Sequence, residues 1–97
     1  MDVSDEKKSA KGFFIVKNDK GLHTRPCTEL VKCASSFRSD VFLSYQKNTV
    51  NAKSILGILM LAAAKGARVR IQAEGEDAEE AIESIIRLAE HKFYIKY

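Results

Sequence analysis

The chain has few of the residues that staple, span or interrupt a fold. Of its 97 residues only two are cysteine, Cys27 and Cys33, and only one is proline. On a single helix, six positions apart, the two thiols would sit about 9 Å apart along the axis, too far for a disulfide. Their spacing fits no common zinc pattern, so both read as reduced thiols and no metal is expected. The longest apolar run, Ile55 to Ala64, falls well short of the ~20 residues a membrane span requires. Met1 to Lys11 is polar and charged, without the apolar core of a signal peptide, and a cytoplasmic protein is expected. Charge is nearly balanced, with 16 Lys+Arg against 13 Asp+Glu, a net +3. Nucleic-acid binders show a basic stripe interleaved with aromatics, and no such run exists here. Neither nucleic acid nor a membrane is an expected partner. There is no internal repeat and no low-complexity segment.

What remains is the material of one small domain. A chain of this size buries only about 60–65% of its unfolded surface, so a compact core is expected and a deep cavity is not. Residues 1–11 lack periodicity and read as a loose arm. Gly12 to Lys17 is aromatic and β-branched, a strand, and Asn18-Asp19-Lys20-Gly21 a turn. From Pro26, the apolar positions Cys27, Leu30, Val31, Ala34 and Phe37 follow helical spacing. Val41 to Tyr45 and Thr49 to Asn51 read as strands joined by Gln46-Lys47-Asn48. Ser54 to Lys65 reads as a second helix stopped by Gly66. Ala67 to Ala73 alternates apolar with polar, a half-buried strand. Asp77 can cap a last helix, with Glu80 completing a capping box. Ala78, Ala81, Ile82, Ile85, Leu88 and Ala89 form that helix's apolar stripe. Residues 91–97 read as either a fraying tail or an added edge contact. The order βαββαβα, with strands polar on one face, is that of an α+β open-faced two-layer sandwich over residues 12–90.

Chemistry concentrates at Gly21-Leu22-His23-Thr24-Arg25-Pro26, between the first strand and first helix. Pro26 is tolerated in a first turn, where its missing N–H would have no intrahelical partner. It biases Arg25 away from the helical region, so either His23 or Arg25 can be the cap. Either way the imidazole lies near the positive end of a helix dipole. First-turn amides can bind phosphate oxygens there, and Arg25 can add a charge-assisted contact to the same group. The dipole disfavours the imidazolium, leaving a neutral ring as the expected nucleophile. A lone histidine at a helix start is commonly only a surface residue or a cap, and these local effects do not decide between the readings.

The segment around His23 resembles the active-site signature of the HPr phosphocarriers of the phosphoenolpyruvate:sugar phosphotransferase system. Val50-Asn51-Ala52-Lys53-Ser54-Ile55-Leu56-Gly57-Ile58-Leu59 is similar to that family's second signature, around a regulatory serine. Ala73-Glu74-Gly75-Glu76-Asp77 resembles its entry into the last helix. The resemblance runs from about Gly12 to Leu88 and implies a four-stranded antiparallel sheet in the order 1-4-2-3 covered by three helices. It implies that His23 is phosphorylated on Nδ1 by phospho-enzyme I and donates to a histidine of a IIA-type protein. Arg25 matches the arginine that neutralises the phosphate. Ser54 matches the serine modified by an ATP-dependent HPr kinase/phosphorylase. The protein would be a phosphoryl-transfer intermediate without a cofactor, a monomer, and not a free-standing catalyst. Thr24 stands where alanine is common and could offer a hydroxyl to the phosphate that Pro26 helps to frame. Cys27 reads as a small buried side chain, with a helix-mouth thiol of lowered pKa as the alternative. Other readings are a nitrogen-branch carrier, a purely regulatory serine phosphoprotein, and a small-molecule-binding module with an incidental histidine.

The second helix is apolar on more than the three positions in seven that one buried stripe requires. Ile58 and Leu61 are expected inside, and Ile55, Leu56 and Leu59 on a partner-docking patch. Lys20, Lys32 and Lys53 could steer the partner from its rim. Ser54 is an ordinary N-cap by its local physics, which is compatible with phosphorylation. His91, near the end of the last helix, is assigned no chemistry.

Overall fold

The structure, a computed structural model, describes residues 8–95. Its elements run β1 (Ser9–Ile15), α1 (Thr24–Ser35), β2 (Asp40–Tyr45), β3 (Asn48–Asn51), α2 (Ile55–Met60), β4 (Arg68–Glu74) and α3 (Ala78–Glu90). The four strands form one antiparallel sheet in the order β1-β4-β2-β3, with all three helices on one face. This is the expected α+β open-faced sandwich.

Alternation along the strands sorts residues between the two faces. Phe14, Val41, Leu43, Val69, Ile71 and Ala73 are buried beneath the helices. Lys11, Phe13, Arg68, Arg70 and Gln72 point away from them and are exposed. From α1 the core takes Cys27, Leu30 and Ala34, and from α3 it takes Ala78, Ala81, Ile82, Ile85 and Ala89. Burying a side chain such as Ile85 or Leu30 contributes roughly 1.5–3 kcal/mol each. Close approach of α3 to β1 occurs over Gly12, where an added Cβ would lie 2.8 Å from Ile82 Cγ2.

Four sequence expectations need correction. First, residues 9–11 of the expected arm belong to the sheet. Ser9–Lys11 pair with Gln72–Glu74 as the start of β1, and the Gly75 amide donates to the Lys8 carbonyl at 2.8 Å. The rest of the expected arm, residues 1–7, lies outside the described residues.

Second, α2 ends at Met60 and not at Lys65. Ala62 takes a left-handed φ of 51°, and Ala63 turns inward to accept a 2.9 Å hydrogen bond from the Leu22 amide. A tertiary contact thus ends the helix six residues before Gly66.

Third, Asp77 precedes α3 but makes no side-chain cap. Its carboxylate accepts from the Arg38 and Ser39 amides at 2.9 Å and from the Ser39 hydroxyl, tying the α1–β2 loop to the start of α3.

Fourth, residues 91–95 are not a frayed tail but fold onto the core; residues 96 and 97 lie outside the described residues. Lys92, Phe93 and Tyr94 form one turn with φ of 54°, 57° and 58°. Left-handed backbone costs about 1–2 kcal/mol per L-residue. Phe93 offsets that cost: it is fully buried and meets Phe14 edge-on at 5.9 Å. Asn18, also fully buried, donates its amide to the Lys92 carbonyl at 3.0 Å.

Candidate functional site

The β1–α1 loop is held at several points before it reaches His23. Gly21 takes φ 70°, and a Cβ there would meet the Ala63 carbonyl oxygen at 2.6 Å. Only glycine fits both the backbone angle and the space. Its amide donates to the Asn18 carbonyl at 2.9 Å, and the next amide, Leu22, donates to Ala63. Leu22 itself is buried. The Cys27 thiol donates to the Leu22 carbonyl at 3.5 Å from one turn into α1. The loop is therefore anchored to the segment after α2, to the closing turn and to its own helix.

His23 is the N-cap of α1, in extended backbone at φ −90° and ψ −168°, which settles the choice between it and Arg25. Its carbonyl accepts the first intrahelical bond, from the Cys27 amide at 3.1 Å. Thr24 and Arg25 occupy the first two helical positions, where an amide has no intrahelical acceptor. Pro26 is third and buried, with no N–H to satisfy. The positive end of α1 thus presents two amides beside the imidazole. His23 is half-buried with Nε2 turned inside, while Thr24 and Arg25 are exposed. The Thr24 carbonyl accepts from the Thr28 hydroxyl at 2.9 Å. Beside Arg25 a shallow cleft of about 290 Å³ is walled by Thr28, Glu29 and the closing turn's Tyr94 and Ile95.

Cys27 is fully buried, and desolvation pushes its thiol up to about 11. The alternative of an activated thiol is overturned, because burial outweighs the helix mouth. Its protonated thiol is instead a brace for the loop. Cys33 is half-buried and raised by the same cause; both cysteines are free. Among the described residues no cluster of His, Cys, Asp or Glu could hold a metal, and no helix is long and apolar enough to cross a membrane.

Ser54 caps α2, its hydroxyl accepting from the Gly57 amide at 3.1 Å. The preceding turn is closed by Asn51, whose side chain accepts from the Lys53 amide. On α2, Ile58 is fully buried and Leu61 follows it inside. Ile55 and Leu56 are exposed, whereas Leu59 is half-buried and packs against the core. Met60, 71% exposed, shares the outer face with Leu56 at 68%. Sequence reasoning missed Met60, although its i,i+4 spacing from Leu56 could have revealed it. Asn18, Ala63 and the closing turn were also missed, since they lie far from His23 in sequence. Of the rim cations, Lys53 is tied to the Phe37 carbonyl at 2.9 Å and Lys32 pairs with Glu29 at 3.6 Å. His91 stacks on Tyr94 at 5.4 Å.

One histidine beside an arginine at a helix mouth of an open-faced sandwich is an arrangement suited to holding a phosphoryl group. Comparison with known proteins agrees. Residues 11–91 match the family described as the PTS HPr component phosphorylation site. A phosphocarrier protein HPr from Xylella fastidiosa (strain 9a5c) is 42% identical over 80 residues, covering 82% of this chain and 90% of the relative. The crystal structure of HPr-C-His from Thermoanaerobacter tengcongensis superposes with TM-score 0.86 at 40% identity, covering 91% of this chain and 99% of that one. The HPr dimer from the same organism gives TM-score 0.71 at 45% identity, covering 80% and 90%. The chain belongs to the HPr family, the phosphocarriers of the phosphotransferase system.

Proposed function

We propose that His23 accepts a phosphoryl group on Nδ1 from phospho-enzyme I and passes it to a histidine of a IIA-type protein. The observation that carries this reading is the placement of His23 as the N-cap of α1, with Nε2 turned inside. Nδ1 is then the ring nitrogen left to attack, and the phosphoryl oxygens it gains face the Thr24 and Arg25 amides. Arg25 supplies the fixed positive charge that stabilises the dianion. Thr24 adds a hydroxyl at the rim, and buried Pro26 holds the first turn in shape. No deep cavity is needed, because the reacting partner is another protein's side chain.

Ile55, Leu56 and Leu59, extended by Met60, form the patch on which enzyme I and the IIA-type protein dock. Ser54 opens that patch, so an HPr kinase/phosphorylase acting there would set negative charge at its edge without removing the cap. On this reading the protein works in the cytoplasm and as a monomer.

Incubation with phosphoenolpyruvate and enzyme I should yield an acid-labile phosphate on the wild type and none on His23→Ala. If active enzyme I leaves the wild type unlabelled, the carrier reading fails and regulation through Ser54 is what remains.

A further inference from the structure

The face of the sheet that no described helix covers carries a second constellation, assembled from three strands and separate from His23. Across β1, β4 and β2, Phe13 lies opposite Arg70, which lies opposite Ser44; one row along, Lys11 lies opposite Gln72. These residues and Arg68 line a cleft of about 340 Å³. That is the lower end of the range for small-molecule sites, roughly 300–1,000 Å³. The two arginines are held in place. The Arg68 guanidinium stacks over the Phe13 ring at 4.0 Å, and Arg70 Nη2 donates to the Gln46 carbonyl at 3.2 Å. Among the described residues neither arginine nor Lys11 forms an ion pair. The nearest carboxylates in the sheet register, Glu74 and Asp40, sit opposite one another in the row beyond Gln72 and Lys11.

We propose that this cleft binds a nucleoside monophosphate. Three cations in one small cleft, with no carboxylate partner among the described residues, favour a multiply charged anion, and a phosphate dianion is matched by Arg70 and Lys11. A guanidinium placed over a phenyl ring extends the aromatic surface, and planar bases stack on both kinds of group. Phe13 is 44% exposed, so this surface is open to a ligand. Gln72 adds an amide beside Lys11, and the Ser44 hydroxyl, already paired with Thr49 at 2.8 Å, borders the far side of Arg70. His23 is not among the lining residues, so this site acts apart from phosphoryl transfer.

Titration of the ¹⁵N-labelled full chain with adenosine 5′-monophosphate, followed by amide shifts, tests the assignment. Saturable shifts are expected at Lys11, Phe13, Ser44 and Arg70. Arg70→Glu should weaken them at least about tenfold, the loss expected for one charge-assisted contact. The same variant should take phosphate from enzyme I as the wild type does. Adenosine and inorganic phosphate, tested singly, should each bind more weakly. The proposal is overturned if no saturable shift appears up to about 10 mM, a free energy too small for specific recognition. It is equally overturned if shifts centre on Thr24 and Arg25, if inorganic phosphate binds as well as the nucleotide, or if affinity for oligouridylate rises with chain length.

Discussion

At the scale of single residues, the positions that matter most around His23 are not the reactive ones. Gly21 has no chemistry, yet its left-handed φ and the Ala63 carbonyl 2.6 Å from a would-be Cβ make it irreplaceable. Gly21→Ala is expected to cost about 1–3 kcal/mol through backbone strain alone, seen as a lower Tm. It should also slow His23 phosphorylation, because any shift that relieves the clash moves the loop. Asp77 has the opposite history: a cap in sequence, a loop tether in structure. The Ser39 hydroxyl first, then the Arg38 and Ser39 amides, hold its carboxyl at about 2 against an ordinary 3.8. A carboxyl lowered in the folded state adds stability that is complete above its unfolded value and disappears as pH falls through the folded one. Wild type should therefore lose stability between about pH 4 and pH 2 through this group. In Asp77→Asn that part of the acid slope should be missing from urea midpoints measured across the same range.

At the scale of elements, α2 shows how a short helix can be placed by its surroundings. Six residues form barely two turns, too few to persist in isolation. The Asn51 turn and the Ser54 cap start it, buried Ile58 holds it, and the Ala62–Ala63 reversal stops it. The same reversal supports the Leu22 amide, so the proposed docking helix and the His23 loop share one brace. Ser54→Asp keeps a capping oxygen and adds charge beside Ile55 and Leu56, so it should fold with a near-native Tm. Its rate of phosphorylation by enzyme I should fall about tenfold or more if that patch docks the donor, equivalent to ~1.4 kcal/mol. A wild-type rate would remove α2 from the docking surface.

At the scale of the whole molecule, the helices and their loops cover one side of the sheet, and among the described residues nothing covers the other. The closing turn is part of the covered side: Phe93 completes the core between β1 and α1, and Tyr94 and Ile95 wall the cleft beside Arg25. Phe93→Ala should cost about 3–5 kcal/mol, an amount large enough to see directly in a thermal or denaturant melt. A surface tail would show almost nothing. The sequence by itself determined the order of elements, the alternation of β4, the stripe of α3 and the position of His23 at a helix mouth. Those depend on local periodicity and turn chemistry, which a chain carries in its neighbours. Tertiary structure alone decided where α2 stops, what Asp77 holds, which residues brace the histidine loop, and that Lys11, Phe13, Arg68 and Arg70 meet on one face. Each of these joins residues far apart along the chain, whose proximity is set by sheet register and packing and leaves no periodic trace in sequence.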